Sequence, residues 1–311
     1  MTAIEVTRDA PEPVTRTTKA AVSATAVPRA KNRRKIRPGK VVISLLGIAA
    51  ALVWVFPVYW MIISAFTPNA RLQSTNPSFF PTSATWSGFT NVISGSGFVG
   101  ALRMSLAITV LTVLVVIIWA TLAALAISRF KFKGRKSFLL AVLFIQMLPA
   151  EGLFLAQYQM LSKAQLVNTI WGVSIIYIAA IIPFTVWMLR GFVAGVPAEL
   201  EEAAMVDGLT RSKAFFKITF PLLAPGLIAS GVYAFLQAWN EFTVALIALP
   251  ARDAQTLPIW LRSFLADSAN KGIDWSQVMA ASTLIAIPVI IFFLIVQGRM
   301  TSGLVSGAVK G

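Results

Sequence analysis

Residues 199–222 read ELEEAAMVDGLTRSKAFFKITFPL, with four acidic side chains (Glu199, Glu201, Glu202, Asp207) and three basic ones (Arg211, Lys213, Lys217) set between two long apolar blocks. Pro197 suits the first helical position, where its missing N–H is not needed, and the three glutamates fall in the first turns, where the helix dipole favours anions. Gly208 is a ready C-terminal stop. Thr210 or Ser212 can then cap a second short helix carrying Phe215, Phe216, Ile218 and Phe220, before Pro221 opens the next apolar block. On a helical projection Leu200, Ala203, Ala204 and Asp207 share one face, with Glu201, Glu202 and Met205 on the other. Two alanines beside a leucine make a shallow apolar face that another protein can approach closely. Physics alone leaves two readings open: a docking element, or a loop with incidental helices.

The surroundings of this segment set the class of protein. Hydrophobic residues make up 57% of the chain and charged ones 13%, and the mean hydropathy is +0.76, outside the range of soluble domains. The net charge of +15 does not point to nucleic acid. Much of the excess lies in the first forty residues and in short links between apolar blocks, where membrane orientation requires it. Cysteine and histidine are both absent. That removes disulfides, thiolate nucleophiles, imidazole bases and the common zinc sites, so no metal site and no enzymatic activity are expected.

Residues 1–40 carry Thr, Ala, Val and Pro without a period and end in Lys31, Arg33, Arg34, Lys35, Arg37 and Lys40, which reads as a disordered basic tail anchoring a first span. The adjacent Arg33 and Arg34 invite a twin-arginine signal reading, but the apolar block that follows is too long for one. Six blocks approach the ~20 residues needed to cross a bilayer: Val41 to Ser64, Leu102 to Ile127, Phe138 to Leu161, Ile170 to Leu189, Leu222 to Leu249 and Val278 to Val296. The link SRFKFKGRK after the second block has five basic residues and no acid. It therefore belongs on the cytoplasmic side, as do both termini and the loop at 195–221; Thr67 to Gly100 and Pro250 to Trp275 belong outside. The expected fold is all-α, with a six-helix transmembrane domain over 41–311.

Pro57, Pro149, Pro183, Pro225 and Pro288 fall within these blocks, where each removes a backbone hydrogen bond, kinks a helix and frees a carbonyl that must find another partner. Glu151 in MLPAEGLF and Glu241 in the Trp239-Asn240-Glu241 run are more telling, because a carboxylate near bilayer depth costs about 2.5–3.5 kcal/mol on insertion scales. Glu151 can equally sit at an interface. Glu241, with Gln237, Trp239 and Asn240, is a candidate for a translocation path or an intersubunit contact.

Glu202-Ala203-Ala204, three residues, Gly208, nine residues, then Ile218-Thr219-Phe220-Pro221 resembles the EAA motif of permease subunits from bacterial ABC importers, EAA-x3-G-x9-I-x-L-P, with Phe220 in place of the usual leucine. RFKFKGRK, WNEF, TLPIWL and the stretch GLVSGAVKG extend the resemblance to the maltose-transporter type of carbohydrate permease, in the subunit similar to the shorter maltose permease, over about Val41 to Gly311. The resemblance implies the type I ABC importer permease fold and a bacterial inner-membrane location. It further implies a second permease, two ATPase subunits that hold ATP and Mg2+, and an external binding protein that delivers a carbohydrate. Leu200, Glu202, Ala203, Ala204, Asp207, Gly208, Ile218 and Pro221 would form the coupling element in an ATPase cleft, and Asp267, Asn270 and Lys271 would meet the binding protein. The chain holds no G-x4-G-K-[ST] phosphate loop, so it is expected to bind no cofactor of its own, its energy coming from a partner. A stand-alone secondary transporter or channel, relaying ions through Glu151 and Glu241, is the alternative; a membrane scaffold would need no polar residues at mid-span.

Overall fold

A computed structural model of the chain describes the backbone of residues 38–308 apart from 76–78, 81–82, 96 and 270–271, and the side chains in that range other than those of 38, 40, 41, 150, 151 and 299–308. The expected tail over residues 1–37 lies outside the described residues, while Pro38 to Lys40 already belong to the first helix. Among the described residues all regular structure is helical. In order these are α1 (Pro38–Phe66), α2 (Asn69–Leu72), α3 (Ser87–Gly95), α4 (Phe98–Arg129), α5 (Arg135–Ile145), α6 (Phe154–Lys163), α7 (Ile170–Ala194), α8 (Glu199–Val206), α9 (Arg211–Ala214), α10 (Phe220–Leu222), α11 (Ala224–Asn240), α12 (Thr243–Ala248), α13 (Leu257–Ala269) and α14 (Trp275–Ala308).

Among the described residues, four helices are long and apolar enough to cross a bilayer: Val42–Phe66, Phe98–Arg129, Ile170–Ala194 and Trp275–Gly298. They coincide with four of the six expected blocks. The other two blocks are interrupted. The block expected over Phe138 to Leu161 is α5 and α6 separated by a turn and a 3-10 turn, Ala150–Leu153. Pro149 donates no N–H and pushes the residue before it away from helix, so α5 ends in the tight bonds Met147 N to Phe144 O and Leu148 N to Ile145 O. The block expected over Leu222 to Leu249 breaks after Asn240, where Glu241 is extended (φ −67°, ψ 129°) before α12 begins. Its 17 residues in α11 rise only about 25 Å. Among the described residues, the helices that meet this length and composition number four, or five when Arg211–Leu222 and Ala224–Asn240, bent by 68°, are taken together.

Up to Leu52, α1 is a unit of its own, and its described side chains from Val42 to Val58 are exposed, an apolar surface suited to hydrocarbon. From Val53 onward the chain forms a second unit organised around α4. Ser105, Ile108, Thr109, Thr112, Val116, Ala120, Ala124 and Ile127 of α4 are buried and recur every three or four residues, forming one stripe. Against this run of small and β-branched residues α7 sets larger ones, Tyr177, Ile181, Leu189 and Val193. Lipid tails are as apolar as leucine, so close fit rather than escape from water holds such a pair together. Helix α11 lies against both. A second cluster joins α3, α4, α11, α13 and α14 through Val92, Phe98, Phe235, Trp239, Leu257 and Trp260, with the Phe235 ring stacked on Trp239 at 5.7 Å and on Phe292 at 4.1 Å.

At α7 and α14 a side-chain oxygen fixes the helix start. Thr169 accepts from Gly172 N at 3.0 Å to open α7, and Asp274 Oδ1 accepts from Ser276 N at 3.0 Å to open α14. Asn168, at φ +60°, donates its N–H to Ala248 O at 2.8 Å and accepts from Ala251 N at 2.9 Å. It thereby ties the start of α7 to the end of α12.

Candidate functional site

Two places in the second unit carry polar chemistry that an apolar helix bundle does not need: the loop from Glu199 to Leu222 and the break at Glu241. The loop forms as its sequence suggests. Glu199, Glu201 and Glu202 occupy the first turn of α8. Gly208 takes φ +91°, a left-handed conformation that favours glycine, and the bonds Gly208 N to Met205 O (3.1 Å) and Leu209 N to Ala204 O (3.0 Å) close the helix. Thr210 caps α9 through Lys213 N at 3.4 Å. A π-helical turn, Phe215–Thr219, leads into α10.

The inner face of this loop is fastened to the bundle. Glu201 pairs with Arg129, at the end of α4, at 3.2 Å, with side chains 13% and 15% exposed. The same oxygen, Oε1, accepts from the Thr219 hydroxyl at 2.6 Å. Arg129 also donates to Val196 O at 3.0 Å. Ala204, Ala214, Thr219 and Leu223 are buried on this side. At the base, Gly226 of α11 lies under the Phe192 ring of α7, where any Cβ would collide with it, so the two roots of the loop are in contact.

The outer face is open. Leu200, Glu202, Ala203, Asp207, Gly208 and Pro221 are exposed and Ile218 is half-buried; Val206 is 87% exposed and Phe216 65%. One expected member of the docking face is misplaced: Ala204 points inward at 7% exposure. A projection that groups it with Ala203 cannot tell which flank of the stripe turns toward the bundle, and Glu201, drawn to Arg129, takes Ala204 in with it. Sequence reasoning missed Arg129 as a partner, reading it only as part of a basic link. It also missed Val206, and placed Phe216 and Phe220 on the second helix without assigning them to the docking face; their rings and methyls extend the apolar outer surface.

At the break, Glu241 is used by its own chain. Its Oε2 accepts from the Tyr177 hydroxyl at 2.6 Å and from Ala245 N at 3.0 Å, and Oε1 accepts from Val244 N at 2.7 Å. The carboxylate thus satisfies the first free N–H groups of α12 and joins α11, α12 and α7. Trp239, 3% exposed, is a core residue and presents nothing to a path. Gln237 and Asn240 are exposed; with Tyr233 they form a polar stripe on one face of α11, the amide of Gln237 donating to Tyr233 Oη at 3.3 Å and that of Asn240 to Leu236 O at 2.9 Å. Tyr233 belongs to this stripe although nothing local in its sequence singles it out. Glu151 lies on the 3-10 turn between α5 and α6, and its side chain lies outside the described residues.

In the segment expected outside, Asp267 on α13 makes a two-pronged pair with Arg252 at 2.9 and 3.2 Å, which holds the guanidinium above its usual pKa. Both border an open cleft of about 590 Å³ that Trp260 and Phe264 also line. Asn270 and Lys271 lie outside the described residues.

Comparison with known proteins bears on this arrangement. Residues 117–304 match the family described as binding-protein-dependent transport system inner membrane component. The diacetylchitobiose uptake system permease protein DasC of Streptomyces coelicolor is 40% identical over 273 residues, covering 88% of this chain and 98% of that protein. The trehalose/maltose transport system permease protein MalG of Thermococcus litoralis is 32% identical over 274 residues, covering 88% and 97%. A crystal structure of a bacterial ABC transporter involved in the import of the acidic polysaccharide alginate superposes with a TM-score of 0.72 at 22% identity, covering 85% of this chain and 97% of that one, a likeness of fold. The family match spans α7, both roots of the loop and the break at Glu241, and the chain is a member of the binding-protein-dependent transport system inner membrane components, multi-pass permease subunits of bacterial ABC importers.

Proposed function

We propose that this permease forms half of a translocation path for a di- or oligosaccharide or related polyol, and that residues 199–222 dock into a separate ATPase that drives alternating access. The observation that carries the reading is the two-sidedness of the loop. Its inner face is bound to the bundle through Glu201, Thr219 and Ala204, while its outer face leaves Leu200, Met205 and Val206 uncovered beside exposed acids. An apolar face rimmed by charge, at the end of a membrane bundle, suits a soluble partner. Under this proposal the chain crosses the membrane six times, with α5–α6 and α11–α12 as interrupted crossings and both termini cytoplasmic. A second permease, two ATPase subunits and an external binding protein complete the importer.

Several relatives are named for oligosaccharides, arabinooligosaccharides and trehalose/maltose among them, which supports a carbohydrate substrate here. The polar stripe of Tyr233, Gln237 and Asn240 supplies hydroxyl and amide groups of the kind that bind sugar hydroxyls. A stand-alone carrier relaying ions through Glu241 loses its main support, because both carboxylate oxygens accept bonds from the chain itself. The test is purification of the tagged chain from its native membrane, with an uptake assay over a sugar panel. Co-purification of an ATPase and a second permease, with binding-protein-dependent uptake of an oligosaccharide, is expected; a chain that transports alone in vesicles overturns the reading.

A further inference from the structure

The loop is joined covalently to α7 and α11, but the structure also ties it to α4, a helix some seventy residues earlier in the chain. Arg129 is the last residue of α4, and its guanidinium reaches both Glu201 of α8 (3.2 Å) and the carbonyl of Val196 at the loop's root (3.0 Å). Glu201 Oε1 at once holds the Thr219 hydroxyl, which is fully buried, so one carboxylate oxygen links α4, α8 and the π-turn. The next residue, Phe130, caps α4, and the Arg211 guanidinium of α9 stands over its ring at 5.2 Å. Two cation contacts, one to a carboxylate and one to an aromatic face, thus bind the two short helices of the loop to the same helix end.

We propose that Arg129 is a positioning residue that clamps the loop to α4, so that loop and α4 move as one body when the loop is displaced. The proposal rests on the reading of residues 199–222 as the ATPase-docking loop. A loop held only by its two chain ends would swivel about Gly208 and the bend at Leu223, and displacement would be lost in that motion. With the clamp, displacement reaches α4 directly, and α4 packs along the length of α7. The pair is mostly shielded from water, so its geometry is firm, and removing one partner leaves the other charge without compensation.

Two experiments test it on the whole importer. In R129Q and in R129M, each of which leaves Glu201 and its bond from Thr219 in place, the ATPase still co-purifies, but uptake per ATP hydrolysed falls by about tenfold, a reduced figure for a pair that keeps some solvent contact. The exchanged pair R129E/E201R restores the ion pair but not the bond to Val196 O, and recovers part of that loss. The chain has no cysteine, so F130C/R211C can be joined by a short bifunctional thiol reagent. The bridged importer is expected to transport at the rate of the two single-cysteine variants, because the parts it joins do not separate. Wild-type coupling in R129Q and R129M, or a bridge that stops uptake while the single cysteines transport, overturns the clamp. Docking itself is judged on ATPase co-purification, so its failure and the failure of the clamp are read on different measurements.

Discussion

The loop and the break at Glu241 both place a glutamate where a helix is interrupted, and they use it in different ways. At the break, every carboxylate oxygen has partners within the chain, two N–H groups of α12 and the Tyr177 hydroxyl. In the loop, Glu201 is consumed inwardly while Glu202 and the apolar residues beside it stay open. A carboxylate among apolar residues is therefore not by itself a sign of a path or a relay. What distinguishes the two regions is whether anything remains unsatisfied once the chain has folded. The break is closed, and the loop has one closed side and one open side.

The largest effect expected from this contrast is at Glu241. Hydrogen bonds to a charged group contribute about 1.5–3 kcal/mol each, and stranding a buried donor is worse than losing both partners. In Glu241→Gln one oxygen can still serve Ala245 N and Tyr177, but the amide NH2 then faces Val244 N–H, donor against donor. Loss on the order of 3 kcal/mol is expected, seen as a lower yield of folded chain and a lower Tm in detergent. Tyr177→Phe removes a single donor and leaves the α12 N–H bonds intact, so a drop of about 1–2 kcal/mol is expected. A Glu241→Gln protein that is as stable as wild type but fails to transport would reverse the comparison and return Glu241 to the path.

Much of the loop was legible in the sequence, and little of the break was. Gly208, Thr210 and the acidic first turn of α8 announce themselves because caps and stops act over three or four residues, and the structure uses all of them. The four uninterrupted spans were legible for a similar reason, each being one apolar run. Interruption within an apolar run leaves a fainter mark. Pro149 and Glu241 were visible as anomalies, but whether a proline kinks a helix or divides it depends on the neighbours that receive the freed groups. Partners far apart in sequence are not legible at all: nothing local connects Tyr177 to Glu241 or Arg129 to Glu201. The orientation rule that made sense of Arg129 as one of five basic residues also hid it, since a charge already explained by topology prompts no search for a further partner.

An intermediate effect is expected at Gly208, where the open and closed sides of the loop meet. Its φ of +91° demands a left-handed backbone, yet a Cβ there would meet nothing within 4 Å. The penalty is purely conformational, about 1–2 kcal/mol for an ordinary residue and more for a β-branched one. Gly208→Val is expected to leave the spans and the pairing with a second permease intact while shifting α8 against α9. ATPase co-purification and uptake fall together. Gly208→Asn, a residue tolerant of this conformation, is expected to retain most of both. Equal behaviour of the two variants would mean that the turn is not what presents the outer face.

The smallest effect on stability is expected on that outer face, and there it sharpens the comparison most. Val206 is 87% exposed and Leu200 43%, and no side-chain bond of the described structure depends on either. Surface substitutions of this kind usually stay within about 0.5 kcal/mol, so Val206→Ser with Leu200→Ser is expected to leave yield and Tm unchanged, or to improve solubility slightly. An uncovered valine and leucine confer nothing on the isolated chain, and their contribution arises only when a partner removes them from water, at roughly 25 cal/mol per Å². ATPase co-purification in the double variant is expected to fall while the second permease stays bound. Ala204→Leu provides the opposite pattern: this residue is 7% exposed and faces the bundle, so overpacking there is expected to lower stability by about 1–3 kcal/mol and to disturb docking only through the fold. If the serine variants lose stability and Ala204→Leu does not, then the two faces of α8 have been assigned in reverse, and the side that carries Ala204 is the surface that meets the ATPase.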